Sequence, residues 1–172
     1  MRTLSPAQRA KAAVDAKTPL EIFAPAFKDN LQLPYQGIRV SEFAPAQQAA
    51  LMALIESHIG KMREGHAAVR MTEIKRYLDQ TWFIWMGSTA LNQPDSVFYY
   101  RIHSPVVLIE FDHVRGVALP NKEPSRNHAH TVIRTPNGND YGMDLLRQHH
   151  ALDGPADLPL PQHARLADPG HA

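Results

Sequence analysis

Two histidines one residue apart, His128 and His130, lie in the stretch Asn127 to Arg134. Its Thr131, Val132 and Ile133 favour extended backbone, and Pro136, Asn137 and Gly138 end the run. Alternate side chains of a strand share a face, so both imidazoles project the same way. Two rings so spaced can hold a metal ion or an anion. A third imidazole, His149, follows near the end of a segment with helical character. Upstream, Tyr99, Arg101 and His103 alternate along one β-prone run, and Glu110 lies on the next.

The chemistry these groups suggest is a mononuclear metal centre. His128, His130 and His149 would be its ligands, a set suited to Zn, Fe, Ni or Cu. Glu110 would be a fourth ligand or the general base, because a carboxylate beside a metal-bound water can take its proton. Arg101 would act with it, orienting an anionic or carbonyl group. Tyr99 and His103 would bind substrate. The competing reading is a hydrogen-bonded network in which the histidines pair with Glu110, Asp112 or backbone.

The elements that must position these residues follow from periodicity and caps. Ser5-Pro6-Ala7-Gln8 and Thr18-Pro19-Leu20-Glu21 both have the form of a helix start, predicting helices over 6–16 and 19–28. Residues 29–44 read as irregular, with a short extended piece at 37–40. From Pro45, Leu51, Leu54, Ile55, His58 and Ile59 fall at helical spacing. His58 on that stripe reads as a locally hydrogen-bonded core histidine. A second helix runs to about Gln80, with Arg70, Glu73, Lys75 and Arg76 on a solvated face. Residues 81–86, 97–103 and 106–112 are strands, the last two joined as a hairpin at Ser104-Pro105. Trp82, Trp85 and Phe98 belong to the core. The loop 113–126 puts His113 in solvent. Asp140 caps a final helix over about 141–150, where a last-turn His149 or His150 can equally serve the helix dipole.

Composition narrows the class. The 172 residues suffice for one domain, read here as 1–152, with a Pro-rich tail over 153–172. The net charge of +1 gives no electrostatic case for nucleic acid. No apolar run approaches the roughly 20 residues of a membrane span. The N-terminus lacks the apolar core of a secretory signal, so a cytoplasmic location is expected. With no cysteine, thiolate sites and disulfides are excluded. Six of the ten histidines (103, 113, 128, 130, 149 and 150) cluster in one third of the chain.

From about Phe43 to His150 the chain resembles a bacterial family known as domain of unknown function 3500. The resemblance is carried by residues 82–87 (WFIWMG), 98–103 (FYYRIH), 109–112 (IEFD), 127–134 (NHAHTVIR) and 139–146 (NDYGMDLL). Departures are His150 where an aromatic residue is usual, His113 where asparagine is usual and Thr135 where aspartate is usual. The resemblance implies a shared fold and brings no reaction. It also implies that this chain corresponds to the C-terminal half of longer family members.

The expected architecture is α+β: N-terminal helices packed on a small antiparallel sheet of about four strands, with a C-terminal helix. The expected function is a metal-dependent enzyme, hydrolase- or oxygenase-like, acting on a small polar molecule. The alternative is a non-catalytic binding or assembly module, either a homo-oligomer or joined to a partner chain that supplies a missing N-terminal half.

Overall fold

The computed structural model describes residues 1–25, 28, 31–90, 93–116 and 122–136. The Ser5 hydroxyl accepts from the Gln8 N–H and the Gln8 side chain accepts from the Ser5 N–H, so the expected capping box starts α1, Pro6–Ala12. That helix stops short of residue 16 because Ala13–Asp15 instead form β1 against the edge of the sheet. β2 is Ile38–Arg39, followed by a 3-10 turn, Val40–Glu42. α2, Pro45–Ile59, buries Leu51, Ile55, His58 and Ile59, the stripe its spacing predicts. α3, Glu64–Arg76, leads through a 3-10 turn, Leu78–Gln80, into the sheet.

Strands β3 (Trp82–Gly87), β4 (Phe98–His103), β5 (Leu108–His113) and β6 (Ala129–Arg134) form the expected antiparallel sheet, ordered as a meander. The sheet is larger and mixed. β1 pairs parallel with the Trp85–Met86 end of β3, and β2 pairs antiparallel with its Trp82–Phe83 end. Both extra strands come from the lead-in and are too short to carry a periodic signal. Gly37, at φ +84°, enters β2 so closely that a Cβ there would lie 2.3 Å from the Phe83 carbonyl oxygen.

One face of the sheet presents Phe83, Trp85, Tyr100, Ile102 and Ile109 to Leu51, Ile55 and Ile59 of α2 and Ile74 of α3. This is the core. Inside it His58 Nε2 lies 2.7 Å from the Tyr100 hydroxyl, the local bond expected of it. Burial, and after it the Lys61 charge, lowers the His58 pKa, which favours the neutral ring.

Three local readings differ from the structure. The helix expected over 19–28 is absent across 19–25, where Pro25 and contacts with the sheet prevail over the capping signal. His113 ends β5 and is buried, not solvated. Its ring packs edge-on against Phe98 and Phe111, with Nδ1 3.0 Å from the Phe98 carbonyl oxygen. Arg70 is half-buried and donates to the Val106 carbonyl at 2.5 Å and to the Thr135 hydroxyl at 2.8 Å, tying α3 to the ends of β5 and β6. The predicted helix over 141–150, with Asp140 and His150, lies outside the described residues, as does the Pro-rich tail. No helix among the described residues is long and apolar enough to cross a membrane.

Candidate functional site

The second face of the sheet carries the polar residues. Cross-strand pairing sets Tyr99 opposite Asp112 and Asp112 opposite His130, forming one row. Arg101, Glu110 and Val132 form the next row, and Leu108 and Arg134 are paired beyond it. Directly paired residues share a face, so the alternation expected of these strands is realised. A different element covers them. Residues 22–25, where a helix is expected, and 31–36 lie across this face.

Their contacts explain why. The Ala24 N–H donates to Glu110 Oε2 at 2.8 Å, a donor that a helix would have consumed internally. Phe23 sets its ring edge-on to Tyr99, with centroids 5.4 Å apart, and lies 5.8 Å from the Arg101 guanidinium carbon. Arg101 Nη2 donates to Gln36 Oε1 at 3.0 Å and to the Pro34 carbonyl at 3.3 Å. Tyr35 stacks over Trp82 and tilts onto His103, with ring centroids 4.5 Å apart in the latter pair. Arg134 Nη1 donates to the carbonyls of Pro25 and Lys28.

Under this strap Glu110 and Tyr99 are wholly buried and bonded to each other, the phenol O–H donating to Glu110 Oε1. Burial drives both pKa values up, and for Tyr99 the neighbouring Glu110 charge adds to it. Glu110, expected as a fourth ligand or general base, thus has both oxygens engaged elsewhere. Asp112 differs. It is fully buried and neither carboxylate oxygen has a partner. Burial first, then the Glu110 charge, pushes its pKa up to about 7. His103 is buried with Nδ1 unpartnered, and burial together with the Arg101 charge brings its pKa down to about 4.

His128 and His130 come together at the rim of this face. Their Nε2 atoms are 3.0 Å apart and their rings nearly perpendicular. His128 Nδ1 lies 2.9 Å from the Arg115 carbonyl oxygen, which can only accept. In a neutral His128 ring Nδ1 is then the donor, which leaves Nε2 as the acceptor facing His130 Nε2. Two nitrogens bound to one tetrahedral zinc at 2.0–2.1 Å stand about 3.3 Å apart, so this pair is nearly at chelating separation. The carbonyl on the far nitrogen is the usual outer support of a metal-bound imidazole. Among the described residues no group of three His, Asp or Glu side chains is gathered for a metal ion. His149, the third expected ligand, lies outside the described residues.

The structure thus joins His128 to His130 and Tyr99 to Glu110, and seats Arg101 and His103 under the strap. Asp112 was named in sequence only as a pairing partner. Its position across from His130 follows from strand register, which period-2 reasoning alone does not supply. The strap residues Ala24, Pro34 and Gln36 carried no chemical signal in the sequence.

No curated protein and no solved structure matches the chain. A family model does, over residues 1–143, which takes in the N-terminal lead-in as well as the motif-bearing core. Since that span exceeds half of the sequence, the chain belongs to the family described as protein of unknown function (DUF3500).

Proposed function

We propose that the chain is a metal-dependent enzyme acting on a small polar molecule, with a divalent Zn, Fe, Ni or Cu ion held at His128 and His130. The observation that supports this is the 3.0 Å separation of two Nε2 atoms, with the far nitrogen of His128 2.9 Å from the Arg115 carbonyl oxygen. His149 is the proposed third ligand. A bound ion would lower the pKa of its water and polarise an oxygen of the substrate, the hydrolase- or oxygenase-like chemistry expected of this donor set. Glu110 serves this site by position. Through Ala24 and Tyr99 it fixes the segment whose Pro25 carbonyl is gripped by Arg134, a residue of the same strand as His130.

The test is metal analysis of the untagged full chain. One equivalent of metal in the wild type, lost in His128→Ala/His130→Ala and reduced in His149→Ala, is the expected result. Metal-free protein whose melting temperature does not move on adding Zn, Cu, Ni or Fe overturns the reading.

One observation favours the second reading, a binding or assembly module. β6 ends the described sheet order with Ala129, His130, Thr131 and Ile133 exposed, an open edge that another chain can extend. A concentration-dependent dimer that dissociates on Thr131→Pro, in a protein that takes up no metal, is the outcome that distinguishes it.

A further inference from the structure

Arg101 is 2% exposed, yet among the described residues it makes no ion pair within 4 Å. The acid directly opposite it in register, Glu110, spends both oxygens on the Tyr99 hydroxyl and the Ala24 N–H. The guanidinium donates to two neutral acceptors, the Gln36 amide oxygen and, by a long bond, the Pro34 carbonyl, lies beside the Phe23 ring and the Tyr99 hydroxyl, and feels the Glu110 charge without pairing with it. Its Nε has no partner. Two residues on, on the same face, His103 Nδ1 is also buried and unpartnered. A buried cation normally sits against a charged acceptor, because neutral acceptors recover little of its lost hydration. The residues that cap this pair, Pro34, Tyr35 and Gln36, are themselves exposed. Among the described residues, side-chain and carbonyl contacts of this short segment stand between the cation and solvent.

We infer that Arg101 and His103 form a seat for a small anion bearing carboxylate or phosphate oxygens, and that Pro34–Gln36 is a strap whose Gln36 oxygen occupies the place of that anion. The fork of a guanidinium fits such oxygens bidentately, and its free Nε completes the fork once Gln36 swings away. A neutral His103 donates from Nδ1 in one of its two tautomers. The strap has a fixed end. Gly37 is wedged against Phe83 by its positive φ, so displacement is confined to the residues before it. The assignment of this anion as part of the substrate rests on the proposed metal-dependent activity, whereas anion binding itself does not.

Calorimetric titration of the EDTA-treated full chain with inorganic phosphate, and separately with acetate, tests the seat and tells the two oxygen chemistries apart. Wild type is expected to bind one of them in the millimolar range. Gln36→Ala should bind up to about tenfold more tightly, because the competing hydrogen bond to a charged group is gone. Arg101→Lys, which keeps the charge and loses the fork, should bind about tenfold more weakly. Amide exchange over residues 31–36 should quicken when the anion is added. No binding of either probe by wild type and Gln36→Ala overturns the inference, as does binding that Arg101→Lys leaves unchanged. Because metal is removed throughout, failure here leaves the His128–His130 reading standing. Loss of that reading likewise leaves the seat.

Discussion

Ala24 and Glu110, 86 positions apart in the chain, meet through a 2.8 Å bond from a backbone N–H to a carboxylate oxygen. This contact lays the N-terminal segment over the polar face of the sheet and replaces a helix that the local sequence encodes. It also couples the lead-in to the strands that carry Tyr99, Arg101, His103, Glu110 and His130.

Removing the carboxylate should therefore unseat the strap. Glu110→Ala leaves the Tyr99 hydroxyl and the Ala24 N–H buried without an acceptor and should destabilise the fold by about 3 kcal/mol. Glu110→Gln keeps one acceptor and should cost about 1 kcal/mol. Urea denaturation of the two variants checks both values and the order between them.

Asp112 and His103 should oppose each other in pH dependence. The folded-state pKa of Asp112 is raised from 3.8 to about 7, so the native state binds its proton more tightly than the unfolded chain does. That contribution is fully present below about pH 4 and is lost as pH rises through about 7. Asp112→Asn should thus stabilise at pH 8, by on the order of 4 kcal/mol at most, and have no such effect at pH 3.5.

His103 works the other way. Its pKa is lowered from 6.5 to about 4, so the folded state resists the proton. Stability from this group is present above the unfolded pKa and is lost as pH falls from about 6.5 to about 4. His103→Gln should flatten the acid limb of the stability curve, and Asp112→Asn should steepen it by removing the compensating slope. Denaturation midpoints at pH 4, 5, 6 and 7 measure both.

Gly37→Ala should cost about 1–2 kcal/mol from backbone handedness alone, because the native φ is +84°. The added Cβ also meets the Phe83 carbonyl, which should break the two-residue pairing of β2 with β3. Faster amide exchange at Ile38 is the local readout, with a lowered melting temperature as the global one.

At the opposite face, Tyr100→Phe removes the one partner of His58 Nε2, while Nδ1 already lacks one. A loss of roughly 1–3 kcal/mol is expected. His58→Phe in the same background should recover part of it, since an apolar ring removes the stranded nitrogens.

The sequence by itself determined the elements whose pattern is local and long. The stripe of α2, the capping box at Ser5, the four antiparallel strands and the α+β class were all written in residue spacing. So was the shared facing of His128 with His130 and of Tyr99, Arg101 and His103, because alternation is a property of one strand. Tertiary structure alone decided which residue stands beside which. It set Asp112 across from His130, engaged Glu110 with Tyr99 and Ala24, and turned residues 19–25 from a helix into a cover. The physical reason is that a buried carboxylate and a buried guanidinium need donors and acceptors from wherever the chain can bring them. Satisfying them outweighs the few tenths of a kcal/mol per residue by which propensity favours a helix. The two shortest strands were illegible for a related reason, since they exist only through pairing with the edge of β3.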